Sequence, residues 1–242
     1  MGKMLGHQRR GKGSTAYRTP GHRYLTAINY TSVVRKAGAM LAQVTAIKDD
    51  PGRTTLVAEL LAENGLKFST LAAEGLSVGD KVEIGLDAKP SLGAILPLEK
   101  IPDGSNVFNI EMNPGDGGKA CRSGGSSALL VSHDEETGEV NVQLASKRTL
   151  KLSPRCTATM GTPSCGGRTE KPYRKAGSKR RAMHARNRRY PIVRGTAMSA
   201  FAHPHGGRSF GKSSVVSRHA SPGQKVGHIA ARATGRRKSR RR

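Results

Sequence analysis

The chain of 242 residues has no tryptophan, three cysteines and only 4% aromatic residues. Cys121, Cys156 and Cys165 are odd in number and irregularly spaced. They cannot form the disulfide framework of a small secreted domain, so a reducing intracellular compartment is expected. Long apolar runs are also missing. No stretch approaches the ~20 residues of a spanning helix, and no basic segment carries an apolar Leu, Phe or Trp face for a membrane surface. Residues 1–10 have charge but no apolar core, which predicts no secretory signal. The sharpest shortage is of acid. Residues 166–242 hold 22 Lys or Arg against a single carboxylate, Glu170. A charge run is ordinarily a solvated face, but here no internal acid offsets it and the segment repels itself. It requires a polyanion.

The charge is segregated. Residues 1–36 carry eight basic side chains and no acid, residues 37–100 carry −3, and residues 101–165 carry −1. A near-neutral centre therefore sits between basic ends, and only the centre is long and apolar enough for a core. The first arm reads as extended coil, because Gly11, Gly13, Pro20 and Gly21 break helices; Arg9, Arg10, Arg18 and Arg23 are spread along it. Tyr17, Tyr24 and Tyr30 have two readings, stacking on bases or tucking onto the neighbouring domain.

The centre reads as mainly β. Residues 40–47 and 54–61 predict strands joined by the turn Asp50-Pro51-Gly52, and Glu63-Asn64-Gly65 turns into a strand over 66–71. Residues 81–84 close this first unit. Local propensity alone also permits a short helix over 56–66. A second unit has strand candidates at 107–111, 127–132, 140–144, 149–152 and 156–160, joined to the first near residues 96–102. Short strands with turns every ~8–12 residues suggest two small barrels. Beyond residue 166 coil is expected, with a helical turn or two over 179–189 that ends before Pro191.

Three constellations could carry chemistry. Residues 117–125 form a Gly-rich loop in which Lys119 and Arg122 supply charge for an RNA backbone; the alternative is a solvated loop tip. The loop lacks the Gly-Lys-Ser/Thr spacing of a nucleotide P-loop. His203-Pro204-His205 invites a zinc site with the cysteines, but Cys156 and Cys165 are separated by eight residues and Cys121 is remote, so small buried cysteines are the simpler reading. A catalytic histidine needs an orienting carboxylate, and Ala202 precedes His203. The basic runs, rich in arginine, suit bidentate phosphate contacts. Extended arms with no groove-sized recognition helix favour folded RNA over DNA. A general nucleic-acid chaperone or compacting protein is the alternative.

Several strings, in order along nearly the whole chain, resemble one family. They are residues 17–24 (Tyr-Arg-Thr-Pro-Gly-His-Arg-Tyr), Ile101-Pro102-Asp103-Gly104 with Asn109-Ile110-Glu111, and residues 114–119 with Arg122-Ser123. Residues 156–161 and Arg194-Gly195-Thr196-Ala197-Met198 leading to His203-Pro204-His205-Gly206-Gly207 complete the set. They resemble the universal large-subunit ribosomal proteins of the L-two family, and residues 225–232 resemble its archaeal or eukaryotic version. The resemblance implies an oligonucleotide-binding-type barrel over 37–97 and an SH3-like barrel over 98–166. These would be flanked by a basic extension over 1–36 and an RNA-threading extension over 167–242. It implies a cytoplasmic, non-enzymatic component of the large subunit that binds ribosomal RNA near the peptidyl-transferase centre and supports subunit association and tRNA binding. Other ribosomal proteins and the small subunit, at an intersubunit bridge, would be its partners; no membrane, homo-oligomer or required cofactor is implied, with Mg²⁺ bridging to RNA the one metal role. Family RNA-contact positions match Arg53 and Arg122, and the histidine discussed for peptidyl transfer matches His203. Arg9, Arg10, Arg18, Arg23, Lys119, Arg194, His205, Gly206, Gly207 and Arg208 complete the expected RNA-binding set. Ala202 and Ser199 stand where the family often has an acid and Asn, which weakens a catalytic histidine and leaves RNA binding untouched.

Overall fold

The computed structural model describes residues 6–30, 38–134, 137–207 and 215–231. It divides into two compact units, one formed by residues 21–173 and the other by residues 1–20 with 174–242. This division separates the charge completely. Residues 21–173 hold 17 basic and 17 acidic side chains, whereas residues 1–20 and 174–242 hold 25 basic and no acidic ones.

The neutral unit is mainly β, as expected. Its strands are β1 (Met40–Lys48), β2 (Val57–Ala62), β3 (Lys67–Leu71), β4 (Lys81–Ile84), β5 (Ile95–Pro97), β6 (Asn106–Phe108), β7 (Ala128–Asp134), β8 (Glu139–Gln143), β9 (Thr149–Leu152) and β10 (Thr157–Met160). They form one sheet in the order β3-β2-β1-β4-β5-β10-β6-β7-β8-β9. The segment with helical propensity, 56–66, is strand. Val57, Ala58, Leu60 and Ala62 are buried there, so pairing with β1 and β3 overrides the local preference. β2 starts at Val57 rather than at residue 54 because the threonines before it are engaged elsewhere. Thr54 Oγ1 accepts the Gly124 N–H at 3.0 Å, and Thr55 Oγ1 donates to the Arg122 carbonyl at 3.1 Å.

The sheet has two main packing centres. One gathers Ala42, Val44, Leu60, Val82 and Ile84; the other gathers Leu96, Leu98, Val107, Leu130, Val142 and Ala158. β5 joins them, in a stretch that reads from sequence as the join between units. Side chains alternate along a strand, so Ile95 enters the first centre and Leu96 the second. β5 is parallel to β4 and antiparallel to β10.

Tyr30 belongs to this core. It is fully buried in the first centre, and its hydroxyl faces the carbonyls of Asn109 at 2.6 Å and Thr157 at 3.1 Å. Burial pushes its phenol pKa up from the ordinary value, so the ring stays neutral and donates. Of the three tyrosines with two readings, Tyr30 tucks into the fold, while Tyr24 remains over a third exposed.

The acid-free unit contains more helix than the sequence suggests. The first arm holds α1 (Gly6–Gly11), whose last turn carries Arg9 and Arg10 where the helix dipole favours cations. Gly13, at φ +65°, then donates its N–H to the Arg10 carbonyl at 2.9 Å. α2 (Ala176–Ala185) begins earlier and is longer than the turn or two expected, and it buries no residue. It ends well before Pro191. Asn187 takes a left-handed conformation at φ +50°, its N–H reaches His184 O at 3.0 Å, and the Arg188 N–H reaches Met183 O at 2.8 Å. This is a Schellman ending, with asparagine in the place glycine usually takes. Two short strands, β11 (Val215–Val216) and β12 (His228–Ile229), pair in parallel. Among the described residues no helix is long and apolar enough to cross a membrane.

Tyr30→Phe removes one buried hydroxyl and leaves the Asn109 carbonyl short of its donor, while the Thr157 carbonyl keeps the Glu111 N–H at 2.9 Å. It should lower unfolding free energy by about 1–3 kcal/mol, read as a reduced urea midpoint with an unchanged slope.

Candidate nucleic-acid interface

Two loops of the neutral unit bring the strongest site residues together. The first is the turn at Asp50-Pro51-Gly52. The Asp50 carboxylate is fully buried; it accepts the Gly52 N–H at 2.8 Å and pairs with the Arg53 guanidinium. Tyr24 lies under that guanidinium, 4.7 Å from Arg53 Cζ to the ring centroid. A Cβ on Gly52 would come within 2.6 Å of the Tyr24 ring, so the turn needs glycine there to let the ring pass.

The second is the Gly-rich loop, held from within. Glu111 is 1% exposed. Its carboxylate accepts N–H groups from Gly115 at 3.0 Å, Gly117 at 2.9 Å and Thr157 at 3.1 Å. Gly117, the first residue of the Gly-rich loop, and Gly115 just before it thus give their N–H groups to the chain's own carboxylate. Gly118, at φ +76°, would place a Cβ 2.5 Å from the Asn109 carbonyl. What the loop leaves for an external anion is side-chain charge. Arg122 Nη1 donates to the Gly118 carbonyl at 3.0 Å, and Lys119 stays exposed with Asp116 at 3.3 Å.

Arg122 and Arg53 are both half-buried. Burial, and then the nearby Arg53 charge, lower the Arg122 pKa from its ordinary value. Arginine remains a cation regardless. The two arginines thus carry two partly desolvated charges, and one buried carboxylate, Asp50, pairs with Arg53. A phosphate would relieve the excess, and each planar fork has donors left to receive it.

The acid-free unit holds a second arrangement. Arg194 precedes a 3₁₀ turn, Gly195–Ala197. The chain then folds back so that the Gly207 N–H meets Met198 O at 3.1 Å and the Gly206 N–H meets His203 O at 2.8 Å. His203 Nδ1 accepts the His205 N–H at 3.1 Å, which requires that nitrogen to be unprotonated. The two imidazoles meet edge to face, with centroids 5.0 Å apart. A Cβ on Gly195 would run into the His203 ring, and one on Gly206 into the Ser199 carbonyl. The string is a closed knot of backbone in which His203 packs on a glycine.

The remaining expected residues are dispersed. Arg9, Arg10 and Arg18 are exposed in the acid-free unit, Arg23 is half-buried in the neutral unit, and Arg208 lies outside the described residues. The three cysteines do not converge: Cys156 is buried, Cys121 partly so, Cys165 exposed. Burial pushes the Cys156 thiol up to about 11, so it remains a protonated core group. Among the described residues no three metal-ligating side chains gather. Sequence reasoning missed Glu111 and Asp50 as organisers. Asp50 had a signal, since Asp before Pro-Gly favours a side-chain-closed turn; Glu111 inside an apolar stretch had only its burial, visible in three dimensions.

Comparison with known proteins matches these features to one group. The family model described as the RNA binding N-terminal domain of Ribosomal Proteins L2 matches residues 1–84, and that of the C-terminal domain matches residues 91–225. A large ribosomal subunit protein uL2 from Methanococcus maripaludis is 47% identical over 241 residues, covering 98% of this chain and all of that protein. The protein of the same name from Methanothermobacter thermautotrophicus is 44% identical over 243 residues, with the same coverage.

Glu111→Gln places an amide N–H₂ against N–H donors and should cost about 2–3 kcal/mol of unfolding free energy. Lys119→Ala removes a single ion pair at 3.3 Å whose cation is exposed although Asp116 is largely buried, and should cost less, about 1 kcal/mol. Urea titration of both variants distinguishes a buried organiser from a solvent-screened cation.

Proposed function

We propose that this chain, which belongs to the L2 family of ribosomal proteins, is a structural constituent of the large ribosomal subunit that binds ribosomal RNA and carries out no chemical step itself. The observation that carries the reading is the end-to-end match to large-subunit proteins, 98% of the chain at 47% identity. The chemistry of the chain agrees with it. Arg53 and Arg122 form a cationic pair short of one counter-charge, and Lys119 lies on the same loop as Arg122. The acid-free unit supplies 25 basic side chains. In this mechanism the neutral unit docks on folded RNA through Arg53, Lys119 and Arg122. Arg9, Arg10, Arg18, Arg23, Arg194 and Arg208 neutralise phosphates, so RNA segments that repel one another can approach.

The reading extends to the finer role the family resemblance implies: placement near the peptidyl-transferase centre, with support of tRNA binding and a bridge to the small subunit. The protein works as a single copy among other ribosomal proteins in the cytoplasm. Mg²⁺ serves only to bridge RNA phosphates. The knot at His203, His205, Gly206 and Gly207 acts as a mould for RNA. His203 Nδ1 is occupied by a backbone N–H and Ala202 supplies no carboxylate, which favours shape over proton transfer. His205 Nε2 is buried without a hydrogen-bond partner among the described residues, and an RNA hydroxyl or phosphate would satisfy it.

The test is equilibrium binding to large-subunit ribosomal RNA across a salt series. With roughly 6–10 phosphates contacted, affinity should fall about 10³–10⁵-fold between 50 and 200 mM salt. Arg53→Ala and Arg122→Ala should each reduce the slope of log affinity against log salt by about one. A flat salt response contradicts the reading, and equal affinity for duplex DNA of the same length favours a general compacting protein instead.

A further inference from the structure

The acid-free unit contains a cleft of about 750 Å³ between its two stretches of chain. One wall is the first arm, from Arg10 to Thr19; the other is α2 and the residues after it, from Lys179 to Ile192. The walls are tied together. Asn187, the residue whose left-handed backbone ends α2, donates its side-chain amide to the Arg18 carbonyl at 2.9 Å and to the Thr15 carbonyl at 3.3 Å. One asparagine therefore both stops the helix and holds the arm beside it.

The lining is unusual in two respects. Six cations face the cleft, Arg10, Arg18, Lys179, Arg186, Arg188 and Arg189, and no carboxylate does. It also holds two phenol rings, Tyr17 and Tyr190, and two apolar side chains, Met183 and the exposed Ile192. Both rings are half-buried, and the Lys179 ammonium sits 5.2 Å from the Tyr190 centroid. A cation over a ring steadies it in one orientation.

We infer that this cleft takes an unstacked nucleotide of a single-stranded RNA segment, its base against the tyrosine rings and its flanking phosphates on the arginines. The inference rests on the RNA-binding reading above and specifies the form of RNA at this place. Duplex backbone would satisfy the guanidinium groups but has no free ring face to offer Tyr17 and Tyr190. An acidic peptide segment would likewise supply charge without a stacking partner. A base turned out of its helix supplies both phosphate and π-face. The volume falls in the range of small-ligand sites, ~300–1,000 Å³, which suits one nucleotide with its neighbours' phosphates.

The experiment uses the full chain and a single-stranded RNA hexamer carrying one 2-aminopurine, whose fluorescence is quenched on stacking. Wild type should bind it with quenching and prefer it to an RNA duplex of equal phosphate number. The double variant Tyr17→Leu/Tyr190→Leu should lose the quenching and about tenfold in affinity for the hexamer. Tyr17→Phe/Tyr190→Phe, which keeps both rings, should retain quenching and affinity, so general unfolding cannot mimic the result. Affinity for large-subunit ribosomal RNA is measured alongside. If the protein binds that RNA but the leucine variant quenches and binds the hexamer like wild type, the cleft assignment is overturned while the RNA-binding reading stands. If no variant and no wild type binds ribosomal RNA, the broader reading has failed. A polyglutamate peptide that displaces the hexamer at equal charge concentration would show a site for charge alone and overturn the nucleotide assignment.

Discussion

Residues 1–20 and 174–242 contain 25 basic side chains and no carboxylate, so nothing within that unit can offset its own repulsion. At physiological ionic strength charges screen one another only beyond about 8 Å, and runs such as residues 186–189 place cations far closer than that. The unit's local structure reflects the constraint. α2 buries nothing, and the order that exists comes from backbone closures: the Schellman ending at Asn187, the knot at 195–207, the short β11–β12 pair. Packing against a core contributes little, and an external polyanion is the partner that completes the energetics.

The neutral unit follows the opposite rule. Several of its acids are paired within the unit. Glu59 pairs with Lys48 and Asp87 with Lys100 at 2.6 Å, on the exposed surface where such pairs contribute little. The two buried carboxylates do more. Asp50 closes a turn and anchors Arg53; Glu111 gathers three N–H groups and fixes the loop that presents Lys119 and Arg122. An ionised carboxylate in a dry site is tolerable only when so bonded. Each buried acid thereby places a cation at a defined position on a rigid sheet. The chain uses its scarce negative charge to aim its positive charge.

The legibility of this arrangement varied with physical cause. Strands 40–47, 66–71, 81–84 and 149–152 were readable because each lies between turn signals whose chemistry is local. β5 was not, since three residues buried on both sides show no alternation and their role depends on two cores that exist only after folding. That a helix here ends before Pro191 is legible; that it stops at Ala185 is not, because Asn187 acts first, through a left-handed backbone that asparagine tolerates and sequence alone rarely flags. For the site, Arg53, Lys119 and Arg122 were legible as charge among turn residues. Of their organisers, Asp50 carried a signal in the Asp-Pro-Gly turn, whereas Glu111 did not, because a buried polar group in an apolar stretch declares itself only through its partners.

The central claim is that the acid-free unit finds its counter-charge in ribosomal RNA of the large subunit. Sucrose-gradient sedimentation of the native protein from lysate, at physiological salt and Mg²⁺, tests this most directly. The account predicts that the protein migrates with large subunits and leaves them only at high salt or after ribonuclease digestion. Protein found at the top of the gradient in intact lysate, or with large subunits after the RNA has been digested away, contradicts it.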